Sequence, residues 1–260
     1  MDVPHAWFDP KRTNHMLEQF SRELLQLYPQ ARVLVATKDL TGKAGRKTFI
    51  ARCATGDWDA VVITHSAFER LPLREATYRA YTDAQLAAVR EQRAQALANS
   101  GARGIVKRLE AAVARAEAKL EALLAAAAKD DGVCFEETGV DYLMIDELHL
   151  FKNKPVTTSI DGIASAGSKR AMDLDAKLWA LQRDRGPRVL TGATATPIAN
   201  SIVEAWIMQT YTQPDVLADS GLGSFDAWAA TFGQTVAAVE LAPDGGSYRV
   251  TSRLARYRNV

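Results

Sequence analysis

Residues 141–153 read DYLMIDELHLFKN. A short apolar run, Tyr142 to Ile145, ends in two adjacent carboxylates, Asp146 and Glu147, and a histidine and a lysine follow at once. A run that is apolar throughout, not alternating, suits a strand of a parallel sheet covered on both faces. A carboxylate at the C-terminal tip of such a strand can hold Mg²⁺ through its water shell, because this ion keeps several waters and needs only one or two carboxylates. A second carboxylate beside it can orient or deprotonate an attacking water. The pair fits hydrolysis of a nucleoside triphosphate. It equally fits an acidic helix start that follows a strand.

Three more runs of the same kind flank this one: Arg32 to Ala36 (RVLVA), Trp58 to Thr64 (WDAVVIT) and Arg188 to Thr191 (RVLT). With helices between them, they predict an open α/β sheet. Asn14 to Tyr28 carries Met16, Leu17, Phe20, Leu24 and Leu27 on one helical face, with Asn14 as N-cap and Pro29 as the stop. Lys38 to Lys47 reads as a polar loop. Ser168 opens a helix that runs to Leu181, Phe225 to Phe232 forms another, and a turn at Pro243–Ser247 leads into a strand.

Ala84 to Ala128 breaks the rhythm. It is rich in Ala, Glu, Arg, Lys and Leu, which favour helix. Ile105, Leu109, Ala112, Ala116, Leu120, Leu123 and Ala127 recur at three- and four-residue steps, a coiled-coil seam. Gly101 and Gly104 interrupt it, so two antiparallel helices joined there are expected. The mixed signs of its charges favour a structural insertion over a dedicated binding arm.

The bulk numbers exclude several classes. Hydrophobic residues make up 47% of the 260, enough to build a core. The net charge is +1, so contact with nucleic acid must come from local patches. The two cysteines, Cys53 and Cys134, have neither disulfide-framework nor zinc-ligand spacing. No apolar run reaches membrane-spanning length, and the N-terminus lacks the layout of a signal peptide. A cytoplasmic protein with no membrane partner is expected.

Asp146-Glu147-Leu148-His149 followed by Phe151-Lys152-Asn153 resembles motif II of superfamily 2 helicases and translocases, most closely the Swi/Snf-type ATPases, with Leu148 where that group has alanine. Arg188 to Trp206, RVLTGATATPIANSIVEAW, resembles the motif III region of the same group, and Thr194-Ala195-Thr196 is similar to the Ser-Ala-Thr of DEAD-box proteins. The segments HMLEQF and THSAFER are also similar to those of large helicase-like proteins of plasmids, phages and bacterial defence islands.

The resemblance implies a partial RecA-like parallel sheet with flanking helices. Its first part would span residues 1–82, the helical hairpin 83–130, the part with motifs II and III 131–215, and a C-terminal extension 216–260. It implies ATP and Mg²⁺ as cofactors. Asp146 would bind the metal, Glu147 would activate water, and His149, Thr194, Ala195 and Thr196 would couple hydrolysis to movement. The Thr194 and Thr196 hydroxyls are expected to hydrogen-bond the two carboxylates. It implies nucleic acid, double-stranded DNA, as partner. Asn14 and His15 fall where motif Ia lies, and Thr64, His65 and Ser66 where the next motif lies. The pair Lys169 and Arg170 could grip a phosphate backbone, or form a solvated helix end.

Two parts of such a motor are not found in the sequence. No GxxxxGK[ST] loop is present. Thr41 to Thr48, TGKAGRKT, has Arg46 where the second glycine belongs, and the residues before Asn14 contain no glycine. The residues after motif III are too few for a second RecA-like domain. The sequence therefore reads as an incomplete motor domain, with a DNA- or partner-binding module or a decayed remnant as alternatives.

Overall fold

The computed structural model describes residues 10–36, 42–98, 110–111, 114, 117–118, 134–158, 160, 163, 167–199, 201–241, 246 and 248–258. The chain divides into two compact units, Met1–Thr77 with Leu124–Val140, and Tyr78–Leu123 with Asp141–Val260. Each is built on a pair of parallel strands joined through a helix, so the α/β class holds.

The first unit begins with α1 (Pro10–Leu27), then β1 (Val33–Val35), α2 (Lys43–Thr55), β2 (Ala60–Val62) and α3 (His65–Phe68). β1 and β2 pair in parallel, with Leu34 opposite Val61. Two corrections concern the helices. α1 starts at Pro10, a residue that fits the first helical turn because it needs no N–H partner there. Asn14 therefore lies inside the helix and is not its N-cap. The stripe expected to face a core is largely open: Phe20 is 52% and Leu27 76% exposed, whereas Ser21 is buried. The supposed loop at Lys38–Lys47 is helical from Lys43 onward. Its helix-forming residues carry Phe49, Ile50 and Cys53 into the core, with Leu34, Phe68, Leu71, Leu73 and Phe135.

A 3₁₀ turn, Phe135–Thr138, closes this core. The Phe135 ring meets Phe68 edge-on at 5.8 Å, and its N–H donates to the Pro72 carbonyl at 2.7 Å. The Glu136 carboxylate accepts the Arg74 N–H with both oxygens at 3.1 Å.

The second unit holds α4 (Glu75–Ala98), β3 (Leu143–Ile145), a 3₁₀ turn at Leu148–Phe151, α5 (Lys169–Arg185), β4 (Leu190–Gly192), α6 (Val203–Thr212), α7 (Pro214–Asp219) and α8 (Phe225–Phe232). β5 (Gly233–Leu241) and β6 (Tyr248–Tyr257) follow as an antiparallel ribbon that the sequence signals only in part. β3 and β4 pair in parallel, with Leu143 opposite Leu190 and Ile145 opposite Gly192. The strands were expected to be covered on both faces, and β3 is not. Leu143 and Ile145 are buried, while Met144 between them is 77% exposed.

α4 begins at Glu75, earlier than the expected helical segment, and covers that segment's first part, from Ala84 to Ala98. Arg90 of α4 meets Glu117 at 3.0 Å, two residues from the two expected arms. The joining glycines and the seam residues from Ile105 to Ala127 lie outside the described residues.

α5 carries three charged residues into the interior beside Leu174, Leu178 and Leu181. Lys177, 0% exposed, donates to Asp173 at 2.6 Å, and the Tyr78 hydroxyl donates to the other Asp173 oxygen at 3.2 Å. Asp175 accepts from the Tyr81 hydroxyl and from Lys154, each at 2.6 Å. Burial, with the Asp175 charge added, raises the Tyr81 hydroxyl well above its ordinary pKa, so it remains a donor.

Replacing Lys177 by Met strips a buried carboxylate of its cation. Urea unfolding should show a loss of about 3–5 kcal/mol, and adding Asp173→Leu should recover most of it. Burial also pushes the Cys53 and Cys134 thiols up to about 11. Iodoacetamide alkylation at about pH 8 should be on the order of 100-fold slower in the native protein than in the unfolded chain. From pH 9.0 to about 11 the unfolded chain releases thiol protons that the native state keeps, so stability should fall across that window.

Candidate functional site

The C-terminal tips of β3 and β4 lie side by side, the place where open α/β sheets bind ligands. Asp146 and Glu147 leave β3, and Ala193 to Thr196 leave β4. One residue joins the two tips. Ala193 donates its N–H to the Ile145 carbonyl at 2.8 Å and accepts the Leu148 N–H at 2.9 Å. Asp146 and Glu147 must turn between those two anchors. Glu147 does so in the left-handed region, at φ 53°, the one described non-glycine residue with positive φ. The Glu147 N–H donates back to Asp146 Oδ1 at 2.9 Å.

Leu148, between the carboxylate pair and His149, is buried against Gly192. A β-carbon on Gly192 would land on Leu148 Cδ2 and lie only 3.2 Å from its Cγ. The glycine of Leu-Thr-Gly thus makes room for this leucine. Phe151, 0% exposed, anchors the far end of the turn, and its carbonyl accepts the Tyr211 hydroxyl at 3.1 Å.

The 3₁₀ turn brings His149 between the two motifs. Its Nδ1 lies 3.0 Å from Glu147 Oε2 and 3.0 Å from Thr194 Oγ1. An ionised carboxylate only accepts, so Nδ1 carries the hydrogen in the Glu147 contact. Thr194 Oγ1 also accepts the Thr196 N–H at 3.1 Å. The expected contacts from the Thr194 and Thr196 hydroxyls to the carboxylates are replaced: the Thr194 hydroxyl meets the histidine, and Thr196 is exposed. Ala195 is exposed as well.

Two lysines just past the box are braced by acids that sequence reasoning did not assign. Lys152 meets Glu204 Oε1 at 3.2 Å, and Glu204 Oε2 accepts the Ala199 N–H at 2.6 Å. Glu204 thereby clasps the end of the DELH segment to the loop after β4. Lys154 meets Asp175, as above. The signal in the sequence was a lone glutamate in the otherwise apolar helix VEAWIM.

Of the other expected residues, Lys169 is exposed at the start of α5, and the Arg170 guanidinium lies over the Phe151 ring at 5.9 Å. Ser168 caps that helix by accepting the Ala171 N–H at 3.2 Å. In the first unit, Thr64 caps α3 by accepting the Ala67 N–H at 3.1 Å and pairs with the Ser66 hydroxyl at 3.1 Å, and His65 opens the helix. Asn14 and His15 lie in α1, and their side chains are outside the described residues.

Asp146 and Glu147 are exposed oxygen donors that suit a hard cation keeping most of its water. Among the described residues, no group of three or more His, Cys, Asp or Glu forms a closed metal cage. No described helix is long and apolar enough to cross a membrane.

A family model described as a probable helicase domain matches residues 13–253. The chain belongs to that family. Neither the curated proteins nor the solved structures provide a match.

Left-handed backbone at a side chain with a β-carbon costs about 1–2 kcal/mol. Glu147→Gly should therefore raise stability by about 1 kcal/mol in thermal unfolding, whereas Glu147→Gln should leave it nearly unchanged.

Proposed function

We propose that this helicase-family chain supplies the hydrolytic and coupling part of a Swi/Snf-like superfamily 2 motor that moves on double-stranded DNA in the cytoplasm. The observation that carries the reading is the junction at the two strand tips. The DELH turn and the Thr-Ala-Thr loop are stitched through Ala193 and linked through His149 and Thr194.

In this reading Asp146 holds Mg²⁺ and Glu147 orients and deprotonates the attacking water. Bound ATP and Mg²⁺ supply the reacting phosphoryl group and the charge neutralisation that phosphoryl transfer needs. The Glu147–His149–Thr194 chain then offers a route for coupling. A change in charge at Glu147 alters the demand on the shared Nδ1 hydrogen, and so alters the hold on the loop after β4. Thr64, His65 and Ser66 in one unit, and Lys169 in the other, are candidate phosphate contacts. Residues 1–82 and 131–215 act as the two parts of the RecA-like domain, 83–130 as its helical insertion, and 216–260 as the extension toward a second such domain.

A second reading is a module that holds DNA or a protein partner without hydrolysis. Exposed Lys169 at the start of α5 would serve it as a phosphate contact without any nucleotide.

ATP turnover, with and without duplex DNA, in the protein as its gene encodes it separates the two. The motor reading expects DNA-stimulated hydrolysis that Glu147→Gln lowers by about 100-fold or more while ATP binding survives. It expects Thr194→Val to keep basal turnover and lose the stimulation. Salt-dependent DNA binding with no hydrolysis would establish the second reading instead.

A further inference from the structure

The stretch TGKAGRKT, which fails as a phosphate loop, lies largely in α2, and the fold gives its cations a different setting. The helix reads KAGRKTFIARCAT, with Lys43, Arg46, Lys47 and Arg52 and no acid. Among the described helices it is the one that carries lysine or arginine without any aspartate or glutamate. Two of the four cations stand at the end least suited to them. Lys43 and Arg46 fall in the first turn, where the helix dipole disfavours positive charge. Such a break of a local rule is expected where a surface serves a function.

Helical geometry, at about 100° per residue, sorts the side chains. Phe49, Ile50 and Cys53 turn inward and are buried. Ala44, Thr48, Ala51 and Thr55, at four- and three-residue steps, form the opposite face, and all are exposed. Exposed Lys47, with exposed Lys43 one turn before it, borders that face on one side. Exposed Arg52 borders it on the other. Both ends of the helix are fixed. The Arg46 N–H donates to the Gly42 carbonyl at 3.0 Å, and the Arg52 carbonyl accepts the Gly56 N–H at 3.1 Å and the Trp58 indole N–H at 2.7 Å. The acids that follow the helix are engaged elsewhere. Asp57 pairs with the Arg32 guanidinium, and Asp59 accepts the Arg32 N–H at 2.8 Å.

We propose that the exposed face of α2 docks on the phosphate backbone of duplex DNA, with Lys47 and Arg52 as the principal contacts and Lys43 beside them. The chain as a whole has a net charge of only +1, so a polyanion must be met by a local patch, and α2 is one. Cations on both borders reach phosphates on either side of the helix, and the small residues between them allow a close approach. A helix of 13 residues is about 20 Å long, and a duplex carries one negative charge per ≈ 1.7 Å of axis, so the face spans several phosphates. That the polyanion is DNA rests on the proposed function, whereas the charged face stands on the structure alone.

The experiment is fluorescence anisotropy with the full chain, free of nucleotide, on a labelled duplex of about two helical turns, across a salt series. Lys47→Gln with Arg52→Gln should weaken binding about tenfold or more and reduce the slope of log K against log salt by about 1.8, or roughly 0.9 per lost contact. Lys47→Arg with Arg52→Lys should keep the wild-type slope. Ala51→Lys adds a cation at the centre of the face and should steepen the slope by about 0.9. Arg22→Gln removes a charge from α1 of the same unit and should change the slope little. An unchanged slope in the glutamine variant, with wild-type binding intact, would overturn this face and leave DNA to other contacts. So would an exchange variant as weak as the glutamine one, which would indicate a structural effect. A wild-type chain without salt-dependent affinity for the duplex would overturn both this face and the DNA part of the proposed function, and would leave α2 to an acidic protein segment. No ATP is present, so loss of the hydrolytic reading at Glu147 leaves these outcomes intact.

Discussion

Two backbone hydrogen bonds to Ala193, one from each side of the carboxylate pair, set the conditions for everything at the strand tips. The Ile145 carbonyl and the Leu148 N–H both end on that residue, at 2.8 and 2.9 Å. Each bond contributes only about 1 kcal/mol net in water, so their importance is geometric. They leave two residues in which the chain must reverse, and the left-handed Glu147 is the result. The strain sits on the residue with the most demanding proposed chemistry, as strained backbone often does at functional sites.

Around that turn the second unit places lysine–carboxylate pairs with little or no access to water. Asp173 takes Lys177, Asp175 takes Lys154, and Glu204 takes Lys152. Two of these lysines belong to the run directly after the DELH box, and their acids stand on α5 and α6. Pairs of this kind add little net stability, because desolvation offsets much of the attraction. Breaking one is costly, so each pair holds its loop in one place. The loop after the carboxylates is thus fixed at Lys152 and Lys154 as well as at Leu148 and Phe151.

Apolar surface is distributed unevenly. β3 buries Leu143 and Ile145 and leaves Met144 to solvent, the alternating pattern of a sheet with one covered face. α1 leaves Phe20 and Leu27 open. By contrast, Trp206, Phe225, Trp228 and Phe232 form a continuous aromatic cluster with ring centroids 5.4–6.1 Å apart. That cluster roots the β5–β6 ribbon through Tyr257. A ribbon of two strands is marginal alone, and this anchor gives it a base.

The four short strands could be read from the sequence, because each lies in a compact apolar run bounded by polar residues. So could the placing of DELH and Thr-Ala-Thr after two of them, and helicase-family membership follows the same motifs. These signals are local. The start of α1 and the helix at Lys43 were missed because Pro10 and the basic TGKAGRKT stretch look like breakers when read alone. Only the tertiary structure decided that His149 stands between the carboxylates and Thr194, that Gly192 makes space for Leu148, and that Glu204 and Asp175 hold the lysines of the box. Apart from His149 with Glu147, those contacts join residues 21 to 52 positions apart. A pattern of hydrophobic and polar residues records which side of an element is buried, but not which buried partner it meets.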